Sequence, residues 1–380
     1  MRGIATEKVQ ALLQQGKKVG EIAKKYRVSR QAVYYHVRKL SFKPKPKNNY
    51  NSTIDWHVYN EGLVKRGEVL LDMEFFQDWK EELQSINHNK KGRPYCYPPS
   101  FIRFLLQLKC IFKIDYRSLE GICRRLIVFM PFCKNPPDYT TVWNRFISLE
   151  EELKVYQSKQ SEEVAGDASG LKTTNRGEYL RSKYRGIRRQ YIKLHIITDT
   201  QTNQVISYSV TRGEVSDQSE LGSLISEAQK YGPIKRGLFD AGYDNQDNYL
   251  LLENEGIKSI IRPRRVIKIS GLEERVVKLE KGLLKGKSSE REARIRGSLI
   301  RLKSIKGYIE NKEKWKKENR YGQRWKSEGR FSVFKRIFGE WVFSKKEENQ
   351  RKEVRLKISL MNLFASLTIG KTLRGIKATA

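Results

Sequence analysis

Apolar positions recur with a helical period through about the first 160 residues and switch to β-type runs near residue 162. From about residue 268 the chain returns to a helical, heavily charged pattern. The first forty residues predict three short helices. Val9, Leu12 and Leu13 give the first an apolar side, and Val19, Ile22, Ala23 and Tyr26 fall at i, i+3, i+4 and i+7 in the second. Arg27-Val28-Ser29 makes a short turn in which Ser29 is a good N-cap. The third helix is expected to bury Ala32, Val33, Val37 and Leu40 while exposing Arg30, Gln31, Tyr34, Arg38 and Lys39. Two helices forming a small core while the last presents polar and basic side chains is helix-turn-helix logic, which assigns residues 1–42 to DNA binding with Arg30, Gln31, Tyr34 and Arg38 as groove contacts. A helical hairpin with a solvated basic face is the competing reading.

Residues 43–53 read as a linker, because the alternating prolines of Lys43-Pro-Lys-Pro-Lys favour an extended path. Residues 54–160 form a helical region, with apolar periodicity at Phe75–Leu83, Phe101–Phe112 and Leu119–Phe129, and Thr140 or Thr141 as a cap for a further helix. In 161–380 the period changes. Val164 to Ala168 is a short strand carrying Asp167, and Tyr191–Thr198 and Val205–Val210 are β-branched runs joined by a hairpin at Asp199–Asn203. Asp217 is placed to cap a helix running to Lys230. Arg236–Asp240 is a strand, Asn248–Asn254 a helix and Ile257–Ile261 a fifth strand. Three antiparallel strands followed by helix, strand, helix, strand define a mixed α/β sheet. A charged helical insertion occupies about 268–320, and Leu356, Leu360, Leu363, Phe364 and Leu367 suit a last helix that packs back on the 161–380 domain.

Charge narrows the partner. Lys and Arg number 76 against 43 Asp and Glu in 380 residues, a formal charge of +33. Such an excess favours a polyanion, whose condensed counterions are released on binding. The most apolar run, Phe101–Phe112, is interrupted by Arg103, Gln107 and Lys109 and falls short of the ~20 residues that span a bilayer. The first residues lack the apolar core of a signal peptide. A cytoplasmic, nucleoid-associated protein that binds double-stranded DNA and no membrane is expected. Cys96, Cys110, Cys123 and Cys133 show no Cys-x-x-Cys spacing and read as reduced, mostly buried thiols, while His195 sits in a strand pattern as a structural residue.

The most informative stretch is 321–335, where Tyr321, Arg324, Glu328 and Lys335 are separated by two, three and six residues. On one α-helix these positions fall within roughly 60° of one another. One acid, two cations and a phenol would line a stripe, with Phe331, Phe334 and Phe338 buried beside it and Gly339 as the helix stop. A surface helix with scattered charge is the plainer alternative.

The spacing resembles the Tyr-(2)-Arg-(3)-Glu-(6)-Lys signature of insertion-sequence DDE transposases, in the group of insertion-sequence families four and five. Gly166-Asp-Ala-Ser-Gly170 resembles the block around that group's first catalytic Asp, and Phe239-Asp-Ala-Gly-Tyr-Asp244 the block around its second. The resemblance covers roughly 50–370. It implies an RNase H-like catalytic domain, with Asp167, Asp240 and Glu328 as catalytic metal ligands and Tyr321, Arg324 and Lys335 on the DNA near the cleaved end. Two Mg²⁺ ions, with Mn²⁺ as a substitute, would be held ~3.5–4 Å apart by those carboxylates. The activity implied is binding of terminal inverted repeats, cleavage of the element ends and joining of 3′-hydroxyls to target DNA by a homodimer on paired ends. An RNase H-like nuclease without strand transfer and a vestigial DNA-binding regulator are the alternatives. Asp244 competes with Asp240 for the second ligand position.

Overall fold

The computed structural model describes residues 6–26, 28–41, 56–71, 73–130, 132–149, 153–156, 162–173, 191–264, 269–283 and 289–367. The linker expected at 43–53 lies outside them. Residues up to Tyr59 belong to one compact unit, and those from Asn60 to Ile369 to another.

The first unit contains α1 (Thr6–Gln14), α2 (Val19–Tyr26) and α3 (Arg30–Ser41). Its core is Val9, Ile22, Ala23 and Val33, wrapped by Leu12, Leu13, Val19, Tyr26, Val28 and Val37. Ser29 Oγ accepts from the Ala32 amide at 3.2 Å, so the expected cap forms. Thr6 Oγ1 meets His36 Nδ1 at 3.0 Å and ties the first helix to the third. Ala32 is exposed rather than buried, because the inward stripe of α3 runs through Val33 and Val37, and position 32 is turned ~100° away from 33. Arg30, Gln31, Tyr34 and Arg38 are all exposed. The side chains of Lys39 and Leu40 lie outside the described residues.

Beyond α4 (Trp56–Leu70) come α5 (Trp79–Asn87), α6 (Pro99–Phe112), α7 (Tyr116–Leu126) and α8 (Tyr139–Ser148). α6 is apolar nearly all round, and it is the centre of this region, burying Phe101, Ile102, Phe104, Leu105, Leu106, Leu108 and Cys110. Asp138, not Thr140 or Thr141, caps α8. Its carboxylate accepts from the Thr141 amide at 2.5 Å and from Thr140 Oγ1 at 2.7 Å, so the threonines are donors inside the first turn. Cys110, Cys123 and Cys133 are buried, Cys96 is exposed and all four are free thiols. Burial pushes the Cys110 thiol up to about 11.

The sheet contains β1 (Glu163–Lys172), β2 (Tyr191–Asp199), β3 (Val205–Arg212), β4 (Arg236–Phe239) and β5 (Lys258–Ile261), in the spatial order β3-β2-β1-β4-β5. β1 and β3 are antiparallel to β2, whereas β4 and β5 run parallel to β1. The hairpin between β2 and β3 is closed by Asp199, whose Oδ1 accepts from the Gln201 and Thr202 amides at 2.7 and 2.9 Å, with Asn203 at φ 56°.

Helices α9 (Asp217–Gln229) and α10 (Gln246–Asn254) cover one face, where Val164, Ile197 and Ile206 meet Leu221, Leu224, Tyr249 and Leu252. The charged segment folds as α11 (Ile269–Leu283), α12 (Ser289–Glu310) and α13 (Lys312–Glu318), with Leu302 and Ile305 joining that same core. On the opposite face, α14 (Trp325–Phe338) and α15 (Glu347–Ser366) bring Phe331, Phe334, Phe338, Leu356 and Leu360 onto Leu171, Leu194 and Ile196. Among the described residues no helix is long and apolar enough to cross a membrane.

Asp217 does not cap α9. Its carboxylate lies 2.6 Å from Lys193 Nζ and 3.4 Å from His195 Nδ1. His195 is fully buried, with Nε2 2.9 Å from Thr211 Oγ1, and burial lowers its pKa, as suits a neutral structural residue.

Candidate active site

Asp167 lies mid-strand in β1, and strand alternation puts its side chain on the face that carries Leu171 and receives α14. β1 pairs with β4 only from Glu163 to Ala165, the last pair being Ala165 with Leu238. Continuing that register two residues sets Asp167 beside Asp240, which follows the end of β4. Gly166 is needed in between: a Cβ there would lie 2.6 Å from the ring of Phe239, which is fully buried. The Gly-Asp pair of the first block therefore fits the Phe-Asp pair of the second.

Asp240 caps a short 3₁₀ turn at Ala241–Tyr243, its Oδ1 accepting from the Ala241 amide at 2.5 Å and lying 2.9 Å from Arg262 Nη2. Glu328 stands in the first turn of α14, more than half exposed, where the helix dipole favours an acid. Arg324 joins the group: its guanidinium bonds Glu328 Oε1 through Nη2 and holds Nη1 3.9 Å from Asp167 Oδ2. Asp167 Oδ1 also accepts from the Ala168 amide at 2.9 Å.

Burial, together with the like charges of Glu328 and Asp240, outweighs the Ala168 amide and Arg324 and raises the Asp167 carboxyl to about 6. The three acids are therefore electrostatically aware of one another. Among the described residues, no three His, Cys, Asp or Glu side chains converge closely enough to hold an ion as they stand. Guanidinium groups sit on the carboxylates instead. The donor set still fits a hard divalent cation, since it offers three carboxylates with oxygen ligands and a charge repulsion that such a cation relieves.

The four signature residues do not share one helical stripe. Tyr321–Arg324 form a 3₁₀ turn, and α14 begins at Trp325. The tighter turn rotates Tyr321 into the protein, where it is buried against Trp315 and donates its hydroxyl to the Phe239 carbonyl at 3.2 Å. Tyr321 is thus packed in the interior as a structural strut. Lys335 lies about 10 Å along the helix from Glu328, near Glu340, which pairs with Lys172 at 2.6 Å. Gly339, at φ 82°, ends the helix as expected.

The Asp244 carboxylate already has a partner in the interior. Its side chain is 1% exposed, and Arg301 grips both carboxylate oxygens at 2.7 Å. Arg262 and Arg301 were missed at the level of sequence. They lie in stretches dense with Lys and Arg, where nothing singles out one cation.

A family model described as the transposase DDE domain matches residues 158–363, and a second of the same description matches 64–176. Among solved structures, a pre-cleavage Mos1 transpososome is 13% identical, with 81% of this chain and 80% of that chain covered at a TM-score of 0.24. A piggyBac transposase synaptic complex with hairpin DNA is 12% identical, with 80% and 81% covered and a TM-score of 0.25. A simian T-cell lymphotropic virus intasome in complex with a PP2A regulatory subunit is 16% identical, with 51% of this chain and 66% of that chain covered at a TM-score of 0.20. The family rests on the domain match, which runs over more than half of the chain and takes in Asp167, Asp240 and Glu328. The chain belongs to the DDE transposase family, whose members are metal-dependent polynucleotidyl-transfer enzymes.

Proposed function

We propose that this protein binds the terminal inverted repeats of an insertion sequence, cleaves the element ends and joins the 3′-hydroxyls to target DNA. The observation that carries the reading is the parallel β1–β4 register, which when continued leads Asp167 and Asp240 to neighbouring positions, with Glu328 reached from Asp167 through Arg324. Strand order and mixed pairing support an RNase H-like catalytic domain, and the spacing of Tyr321, Arg324, Glu328 and Lys335 supports the group of insertion-sequence families four and five. Asp167, Asp240 and Glu328 would hold two Mg²⁺ ions, or Mn²⁺ in their place. When bound, such a pair activates the attacking oxygen and stabilises the leaving one.

The protein's own groups supply the rest. Asp167, raised to about 6, is mostly ionised near neutral pH and carries a poorly solvated charge that an approaching cation would relieve. Arg324 can exchange its carboxylate partners for a DNA phosphate, because a planar fork suits either. Lys335, further along the same helix, supplies a point charge for the next stretch of backbone. The Tyr321 ring, packed on Trp315, anchors the turn that carries Arg324. α1–α3 would act as a helix-turn-helix, with Arg30, Gln31, Tyr34 and Arg38 exposed on α3 for base and phosphate contacts. A homodimer on paired ends within the nucleoid is the expected working form.

The test is replacement of Asp167, Asp240 or Glu328 with Ala. Each should abolish Mg²⁺-dependent cleavage of a DNA end while leaving end binding within a few-fold of wild type. Normal cleavage by Glu328→Ala would overturn the assignment. Joined products from a pre-cut end and a target plasmid separate transposition from hydrolysis alone.

A further inference from the structure

The charged segment between β5 and α14 carries none of the three acids assigned above to catalysis, yet one face of it is fitted to the loop behind Asp240. Four residues after Asp240, the Asp244 carboxylate is buried and held by a two-pronged bond from Arg301, with Nε on Oδ1 and Nη2 on Oδ2, both at 2.7 Å. The Arg264 amide adds a third bond to Oδ2 at 2.8 Å. Arg264 also donates through Nε and Nη2 to the carbonyls of Ala241 and Gly242, at 3.3 and 3.2 Å.

On α12, the same face brings Ser298 Oγ to Gln246 Oε1 at 2.7 Å. It also brings Gly297 so close that a Cβ there would lie 2.6 Å from the Gln246 carbonyl. Gly297, Ser298 and Arg301 stand at i, i+1 and i+4, so a single ridge of α12 is keyed to 244–246. Leu302 and Ile305 continue that contact into the core that holds Tyr249 and Leu252.

Asp240 needs such support. β4 ends at Phe239, so the carboxylate sits on a three-residue turn beyond the last ladder pair of that strand. Among its described contacts, only the Ala241 amide and Arg262 hold it directly. The geometry of 240–244 is therefore set from behind. A buried carboxylate with a bidentate guanidinium does this well, because parting the two leaves an uncompensated charge in the interior.

We propose that the insertion is a positioning element, and that Arg301, acting through Asp244, holds the turn that aims Asp240 at the metal site. This rests on the active-site reading above, in which Asp240 is a ligand. Arg301 is a positioning residue and touches neither substrate nor metal.

The test measures binding of Mn²⁺ alone to the full-length protein by electron paramagnetic resonance of the free ion, with melting temperature followed in parallel. Variants are Arg301→Ala, Arg301→Lys, Asp244→Asn and Gly297→Ala, with Asp240→Ala as the reference. Arg301→Ala and Asp244→Asn should weaken Mn²⁺ binding about 10- to 100-fold, the range for partners that orient a metal ligand. Arg301→Lys should recover much of the melting temperature but only part of the affinity, since an ammonium lacks the fork. Gly297→Ala, which parts α12 from Gln246 without altering any charge, should weaken Mn²⁺ in the same direction, and it decides the matter should Arg301→Ala fail to fold. Wild-type Mn²⁺ affinity in the folded Arg301 and Gly297 variants, alongside its loss in Asp240→Ala, overturns the insertion's role alone. Wild-type affinity in Asp240→Ala overturns the active-site reading, and this inference with it.

Discussion

The Tyr321 hydroxyl donates to the carbonyl of Phe239, the residue that immediately precedes Asp240. One hydrogen bond thereby links the turn that launches α14 to the end of β4, so the acid on the helix and the acid after the strand share a rigid reference. Tyr321→Phe should cost about 0.5–1.5 kcal/mol. The low end is favoured because the Phe239 carbonyl keeps the Arg262 amide at 3.3 Å. Urea denaturation measures the loss, and end-binding affinity should stay unchanged. A variant of normal stability with weakened DNA binding would put the phenol on the nucleic acid after all.

Asp167 titrates against the fold. Its folded-state pKa is raised from 3.8 to about 6, so the folded protein holds this proton more tightly than the unfolded chain does. Ionising it therefore destabilises the metal-free protein progressively as pH rises from about 4 to about 6, and the full cost persists above that window. Asp167→Asn should raise metal-free stability at pH 7.5 by ~1–3 kcal/mol, with the gain vanishing below pH 4. The same variant should lose metal-dependent cleavage. Chemical denaturation across pH, with EDTA present, checks the sign. Equal stability of the two proteins at pH 7.5 would mean that the carboxylate is not desolvated.

The strands, the buried aromatic stripe of α14 and the α1–α3 core were legible because each is a local period: alternation over β2, i, i+3, i+4, i+7 over α2, and Phe331, Phe334 and Phe338 at helical spacing. The blocks around Asp167 and Asp240 stood out in the sequence through their resemblance to a family's blocks, and the packing of Gly166 against Phe239 is a physical reason for those residue types. What escaped is non-local or depends on exact backbone shape. The 3₁₀ turn at Tyr321–Arg324 differs from an α-helix by one hydrogen-bond register, yet it moves Tyr321 from a surface stripe into the core. Asp138 displaced Thr140 and Thr141 as a cap because three oxygen-bearing side chains within four residues compete for the same amides. Asp244 is an acid four residues from Asp240, and its partner Arg301, far along the chain, sets it apart.

Residues 1–47 should supply much of the discrimination between repeat and random DNA, since α3 leaves Arg30, Gln31, Tyr34 and Arg38 exposed. The affinity of the full chain should fall with salt at a log–log slope of about −0.9 per phosphate neutralised. Replacing Arg30 and Arg38 together with Ala should reduce the slope magnitude by about 2 if both contact phosphates. Fluorescence anisotropy over a salt series gives both quantities. A truncation beginning at Asn48 that retained full discrimination would place recognition elsewhere in the chain.

Arg324 stands between Asp167 and Glu328, so it should act in opposite directions on the two ligands of this site. In the DNA-free protein its guanidinium neutralises both carboxylates and competes with any cation. Arg324→Ala should therefore push the Asp167 carboxyl further upward and, at pH above 7, tighten binding of Mn²⁺ alone. With DNA present, the loss of a charge-assisted phosphate contact should destabilise the protein–end complex assembled in Ca²⁺ by about 1.5–3 kcal/mol, roughly ten- to hundredfold. Arg324→Lys should restore the first property more fully than the second, because the ammonium keeps the charge but not the fork. Lys335→Ala should weaken the end complex less and leave Mn²⁺ binding unchanged, because Lys335 lies about two helical turns from Glu328. Mn²⁺ titration and end-complex assembly, run on the same preparations, separate these effects. Wild-type behaviour of Arg324→Ala in both would reduce the residue to a structural cation that bridges two acids.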